Sequence, residues 1–206
     1  MKLRLKGHRL TVVGVALPLS LILLAASTFA WFTAADSVRN KLHAGEYEFS
    51  VPAVDVFTPP ATPMEPGDSV EKRVGAVNSG SLPGFVRLMV LPTVVAADGK
   101  TMLPASLGKE VVAALNVQDW ADGGDGYYYY LRILHPTEAT PELFTEVQIA
   151  SDLGDRYKQA KLDIEVKSEA VGVGQWDYRV SWWGSDAAQT AGPLAVVDAA
   201  LQEQAR

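Results

Sequence analysis

Lys161-Leu162-Asp163-Ile164-Glu165-Val166-Lys167 alternates charge and hydrocarbon without a break. Successive side chains of an extended chain point to opposite faces. Leu162, Ile164 and Val166 therefore lie on one side, and Lys161, Asp163, Glu165 and Lys167 on the other. A strand with one wet face belongs to an antiparallel sheet rather than to a parallel sheet covered on both sides.

Working outward, the same period recurs. Tyr47, Phe49 and Val51 alternate with Glu46, Glu48 and Ser50. Val70, Val74 and Ala76 share a face opposite Glu71 and Arg73, and Phe85 to Leu91 reads as a strand covered on both faces. Tyr127 to Leu134 opens with four tyrosines, which pack well on a pleated surface. Leu143, Val147 and Ile149 suggest a further strand, and Tyr178, Val180 and Trp182 a last one. Leu107, Val111, Val112 and Leu115 fit one face of a short helix between Leu103 and Trp120. Seven or eight short strands separated by Gly, Pro and Asn turns predict a mainly β antiparallel sandwich with a short helix. Residues 193–204 read as a loose helix or a disordered tail.

The first thirty residues differ in kind. Lys2, Arg4, Lys6 and Arg9 precede an apolar run from Leu10 to Ala30, long enough as a helix to span a bilayer. Gly14 and Pro18 interrupt the run, and Thr28-Phe29-Ala30 offers small residues at −3 and −1 of a cut between Ala30 and Trp31. A cleaved signal peptide is the expectation, with an uncleaved membrane anchor as the other reading. Either way the basic tip directs the rest of the chain outside the cell. The predicted organisation is a signal over 1–30, an N-terminal segment over 31–45, a sandwich over 46–184 and a C-terminal tail over 185–206.

Removing residues 1–30 takes four of the chain's 18 Lys and Arg and none of its 24 Asp and Glu, leaving a net charge of −10. Nucleic acid and anionic lipid both select for basic patches, so neither is expected as a partner, and membrane contact is expected only through the N-terminal segment. The chain has no cysteine, so its core rather than disulfides must hold it together.

Chemistry is sparse. His43 and His135 are the only histidines after residue 30, and no H-E-x-x-H helix, G-x-S-x-G elbow or glycine-rich phosphate loop occurs. No cofactor and no enzymatic activity are expected. Asp119, Asp122 and Asp125, spaced around Gly123, Gly124 and Gly126, form a weak calcium candidate because such ions take several oxygen ligands. A polar turn is the simpler reading of that loop. Half of Tyr127–Tyr130, together with Trp182 or Trp183, faces away from a single core, so an exposed aromatic ladder for carbohydrate or a subunit is a second expectation.

Several segments, in order, resemble a known group. Thr28-Phe29-Ala30-Trp31-Phe32-Thr33 resembles the exit of signals cut by a SipW-type signal peptidase. Glu65-Pro66-Gly67-Asp68-Ser69-Val70, then Val77-Asn78-Ser79-Gly80-Ser81, resemble the turn regions of the TasA/camelysin group of biofilm-matrix proteins. Phe85-Val86-Arg87, Asp125 to Tyr130, Thr140 to Phe144 and Glu165 to Val171 keep that group's order. Pro66, Gly67, Asp68, Asn78 and Gly80 are turn-forming residues with structural rather than catalytic chemistry. The resemblance implies a jelly-roll-like sandwich, secreted to the extracellular matrix or cell surface. It would polymerise with itself or with homologous matrix subunits when one subunit's N-terminal segment adds a strand to the next. Trp31, Phe32 and Val38 would lie in that donor segment. The alternative is a surface adhesin using the aromatics or the acidic loop.

Overall fold

The computed structural model describes residues 53–57 and 63–205. The strand expected at Tyr47–Val51, the cut at Ala30 and Trp31, and the donor residues Trp31, Phe32 and Val38 lie outside them.

Two antiparallel sheets face each other across one core, as expected. The first runs β1 (Ala53–Phe57), β2 (Ser69–Ala76), β8 (Phe144–Ile149), β5 (Val111–Ala113). The second is built on β3 (Gly84–Val95), with β9 (Lys161–Gly172) along the whole of one side. The other side of β3 is shared by β7 (Tyr127–Tyr130) and the two-residue β4 (Met102–Leu103), and β6 (Trp120–Asp122) continues beyond β7. Val70, Val74, Phe144, Val147 and Ile149 of the first sheet meet Val86, Leu88, Tyr130, Leu162 and Ile164 of the second. Each fully buried Val, Leu, Ile or Phe contributes about 1.5–3 kcal/mol, so this layer supplies most of the driving force for folding.

The outer face of the second sheet is also covered. Two helices, α1 (Asp177–Trp183) and α2 (Pro193–Gln202), lie over Phe85 and Tyr129 and form a second cluster with Tyr178, Val197 and Leu201. This explains why Phe85 to Leu88 is buried on every residue. No helix among the described residues is long and apolar enough to cross a membrane.

Two expectations need correction. The strand read at Tyr178, Val180 and Trp182 is helix α1, in which Tyr178 is buried and Val180 is 54% exposed. Alternation over so few residues also fits a helix whose buried face carries Tyr178 and Trp182 four apart. The helix read between Leu103 and Trp120 is absent. Gly108, at φ +84, turns the chain so that the amides of Lys109 and Val111 both donate to Ser106 O, and extended β5 follows. Of the two readings of residues 193–204 the helix holds, and it packs on the sheet, entered through Gly192 with Pro193 in its first turn.

Candidate functional site: the edge and cap of the second sheet

On one side of the sandwich β1 approaches β9; among the described residues, β1 pairs only with β2, and β9 only with β3. Backbone parity shows which groups β9 presents there. Gly84 of β3 exchanges both of its backbone hydrogen bonds with Leu134, on the side away from β9. Alternate residues of a strand aim their N–H and C=O to opposite sides, so the even-numbered residues of β3 all aim away from β9. Pro92 shares that parity, and its missing N–H therefore costs the β3–β9 ladder nothing. The facing residues of β9, also even-numbered, turn their backbone groups away from β3, toward the side of β1.

Among the described residues, Met64 and Lys72 bond groups on this side. Met64 N donates to Ala160 O at 3.2 Å, just before the strand. Lys72 Nζ donates to Ile164 O at 2.9 Å, from a side chain whose residue is 2% exposed. Lys72 lies in a bulge, since β2 carries one extra residue relative to β8 between Glu71 and Val74. Sequence reasoning passed over Lys72, although it shares parity with Val70 and Val74. A lysine at an inward position is the signal that would have found it. Beyond Ile164 the seal weakens. Leu162 and Ile164 are buried, whereas the equally inward Val166 and Ala170 are only half-buried.

The turn residues delimit this frame. Gly67 sits at φ +95, a conformation glycine adopts without strain, and its N–H bonds Ile149 O at 2.8 Å. Asp68 Oδ2 accepts from Glu65 N at 2.8 Å, closing the turn that begins at Pro66. Asn78 is fully buried; its Nδ2 donates to Leu82 O and Leu134 O, and its Oδ1 accepts from Gly80 N.

The aromatic stripe is not an exposed ladder, because the helices cover it. Tyr128 and Tyr130 point to the main core, where Tyr130 meets Trp120. Tyr129 lies under α1 against Trp182 and Trp183. Its hydroxyl donates to Asp125 at 2.6 Å and accepts from Arg87 and from Trp183 Nε1, each at 3.1 Å. Burial, followed by the bond to Asp125, pushes this phenol up to about 12. The Arg87 guanidinium sits 3.7 Å from the Tyr127 ring centre and bonds Glu169 at 2.6 and 2.9 Å. Glu169 also accepts from Tyr127.

The acidic loop disperses its carboxylates. Asp119 pairs with Arg132 and Asn116, Asp122 accepts from Gly124 N, and Asp125 accepts from Tyr127 N as well as from Tyr129. Among the described residues, no three His, Asp or Glu side chains converge on one point. His135 is exposed, and the neighbouring Glu138 carboxylate accepts from its backbone amide. A shallow groove of about 350 Å³ lies at the other edge of the first sheet, along Ser69, Val112–Ala114 and Thr145–Gln148.

The sequence profile of the camelysin metallo-endopeptidases matches residues 6–111, just over half of the chain, from the basic N-terminal tip to the first residue of β5. The chain belongs to the camelysin family. No curated protein and no solved structure matches it. The camelysin name implies a catalytic metal, but the donor set described above does not fit one. Its carboxylates are committed to separate arginine, amide and phenol partners, and its one described histidine stands apart from them.

Proposed function

We propose that the protein is a secreted structural subunit of an extracellular matrix or surface fibre, without catalytic activity. In this reading the N-terminal segment beginning near Trp31 is freed by a SipW-type signal peptidase and adds as a strand to a neighbouring copy or a homologous subunit. The observation that carries it is membership of the camelysin family together with polar side chains that, among the described residues, are committed to one another rather than gathered around a reaction centre. An exposed strand edge is a template for a further strand, and a folded monomer keeps one open only under some form of control.

The test is electron microscopy of the purified exported protein, beside a variant lacking Trp31–Asn40. Fibres from the first and none from the second are expected. Equal assembly of both would remove the strand-donation mechanism, and no assembly of either would remove the fibre reading.

A further inference from the structure

We propose that Tyr129 is a redox-active tyrosine, a trap for one-electron oxidants built under the cap. The oxidant takes an electron at the cap margin, from Tyr127 or Trp182. The oxidising equivalent then comes to rest on Tyr129 as a neutral phenoxyl radical, and the phenol proton passes to Asp125. This chemistry is independent of the fibre reading.

Six tyrosines lie among the described residues, and their hydroxyls divide by face. Tyr127, Tyr129 and Tyr178 belong to the cap cluster, and each donates to a carboxylate: to Glu169 at 2.8 Å, Asp125 at 2.6 Å and Asp198 at 2.6 Å respectively. Tyr128, Tyr130 and Tyr157 belong to the main core. There Tyr157 donates to Pro104 O, and among the described residues no carboxylate accepts from the other two. A buried phenol needs a partner, but not an ionised one. The carboxylates therefore add something that burial does not require. A phenol that loses an electron becomes a strong acid, and a carboxylate already at its hydroxyl takes the proton in place.

Tyr129 is the hub of these rings. Its centre lies 5.5 Å from Trp182, 6.2 Å from Trp183 and 6.5 Å from Tyr127, and Trp183 lies 5.4 Å from Tyr178. Tyr127 and Trp182 are half-buried at the margin, whereas Tyr129 is fully buried, so a radical there is kept from other molecules. Of the three carboxylates, Asp125 is the one least committed to a cation. Asp198 is held by Arg179 Nε at 2.6 Å and Glu169 by Arg87 at 2.6 and 2.9 Å, but Asp125 stands 4.0 Å from Arg87. Protonating Asp125 therefore breaks no close ion pair. The phenoxyl oxygen would keep two donors, Arg87 Nη1 and Trp183 Nε1, each at 3.1 Å. The loop is shaped for this approach, because a Cβ at Gly123 would stand 2.5 Å from both Asp125 Oδ1 and Tyr129 Cε2. No thiol competes for the oxidant, since the chain has no cysteine. The step balances: the oxidant gains one electron, Tyr129 loses that electron and its O–H proton, and Asp125 gains the proton.

The test oxidises the purified full chain with photogenerated ruthenium(III) tris-bipyridine, a cobalt(III) complex being the final electron acceptor. Radicals are read by electron paramagnetic resonance after freeze-quenching. The wild type is expected to give a tyrosyl signal that outlasts the light and forms more slowly in deuterium oxide. Tyr129→Phe should remove that signal. Asp125→Asn keeps the shape of the side chain but cannot take the proton, and should lower the signal about tenfold or more. Tyr130→Phe, in the main core, should leave it unchanged. If these rings served packing alone, oxidation would follow exposure, so Tyr127→Phe would remove the signal and Tyr129→Phe would not. That result, a signal undiminished in Asp125→Asn, or no tyrosyl radical in the wild type would each overturn the assignment. Near-ultraviolet circular dichroism checks the cap of each variant, and Asp125→Asn decides the matter if Tyr129→Phe loses it.

Discussion

Asp198 joins the two helices of the cap. Its carboxylate accepts from Arg179 Nε and from the Tyr178 hydroxyl, each at 2.6 Å, and from Gln189 N at 2.7 Å. Arg179 and Asp198 are each 2% exposed. Burial alone would raise the carboxyl, but the bonds from Arg179 and Tyr178 outweigh it and hold it below its ordinary range. Removing one partner of a buried pair leaves the other charge desolvated and unanswered, which costs about 3–5 kcal/mol. Asp198→Ala should lose stability of that order in chemical denaturation. The sign of the pH effect follows from linkage. A carboxyl whose folded pKa is depressed contributes its stability above the unfolded value of about 4 and loses it as pH falls through the folded value. The near-ultraviolet signal of Trp182 and Trp183 should therefore weaken below about pH 4 in the wild type. In Asp198→Ala that acid step should be absent or smaller.

At the scale of elements, the cap is a second core tied to the sheet by polar bonds, and Tyr129 is its main tie. Tyr129→Phe would leave Asp125 Oδ2 and Trp183 Nε1 without their shared hydroxyl, at about 1–3 kcal/mol. Limited proteolysis should then cut faster between Gly184 and Gly192 than in the main sandwich, and uniform protection would count against the tie. These elements also show where the sequence was readable. β9 and β2 were legible because one face of each is wet, so side-chain chemistry follows the period of two. β3 was legible because its run of apolar residues is too short for a membrane and too continuous for one wet face. The cap was not. Tyr178, Val180 and Trp182 alternate by accident of a helix that buries an aromatic face, and the aromatics read as surplus to one core were evidence of a second. Lys72 was missed for a related reason: parity was used to collect apolar residues and not to question the polar one among them. The three aspartates share a loop in sequence, yet each turns to a different neighbour, a choice that depends on Arg132, Gly124 and Tyr129 rather than on spacing.

On the scale of the whole molecule, charge constrains how copies can meet. Without its first thirty residues each chain carries a net −10, so two bodies approaching broadside repel over about the Debye length, roughly 10 Å at 0.1 M salt. In the proposed fibre, residues 37–44, which carry Arg39 and Lys41 and no acid, would be attracted to the body that repels their own. The two contacts should respond to salt with opposite sign. Screening weakens capture of a basic strand by an acidic body and relieves repulsion between bodies already joined in a fibre. Raising ionic strength from about 0.05 to 0.5 M, which shortens the screening length roughly threefold, should slow elongation of single fibres and promote their lateral bundling. Elongation is read from seeded growth rates and bundling from fibre widths by electron microscopy. If both rise together, assembly proceeds by contact between bodies rather than through a charged strand. If elongation falls while width grows, the basic segment is the joint and the acidic surface keeps the fibres apart.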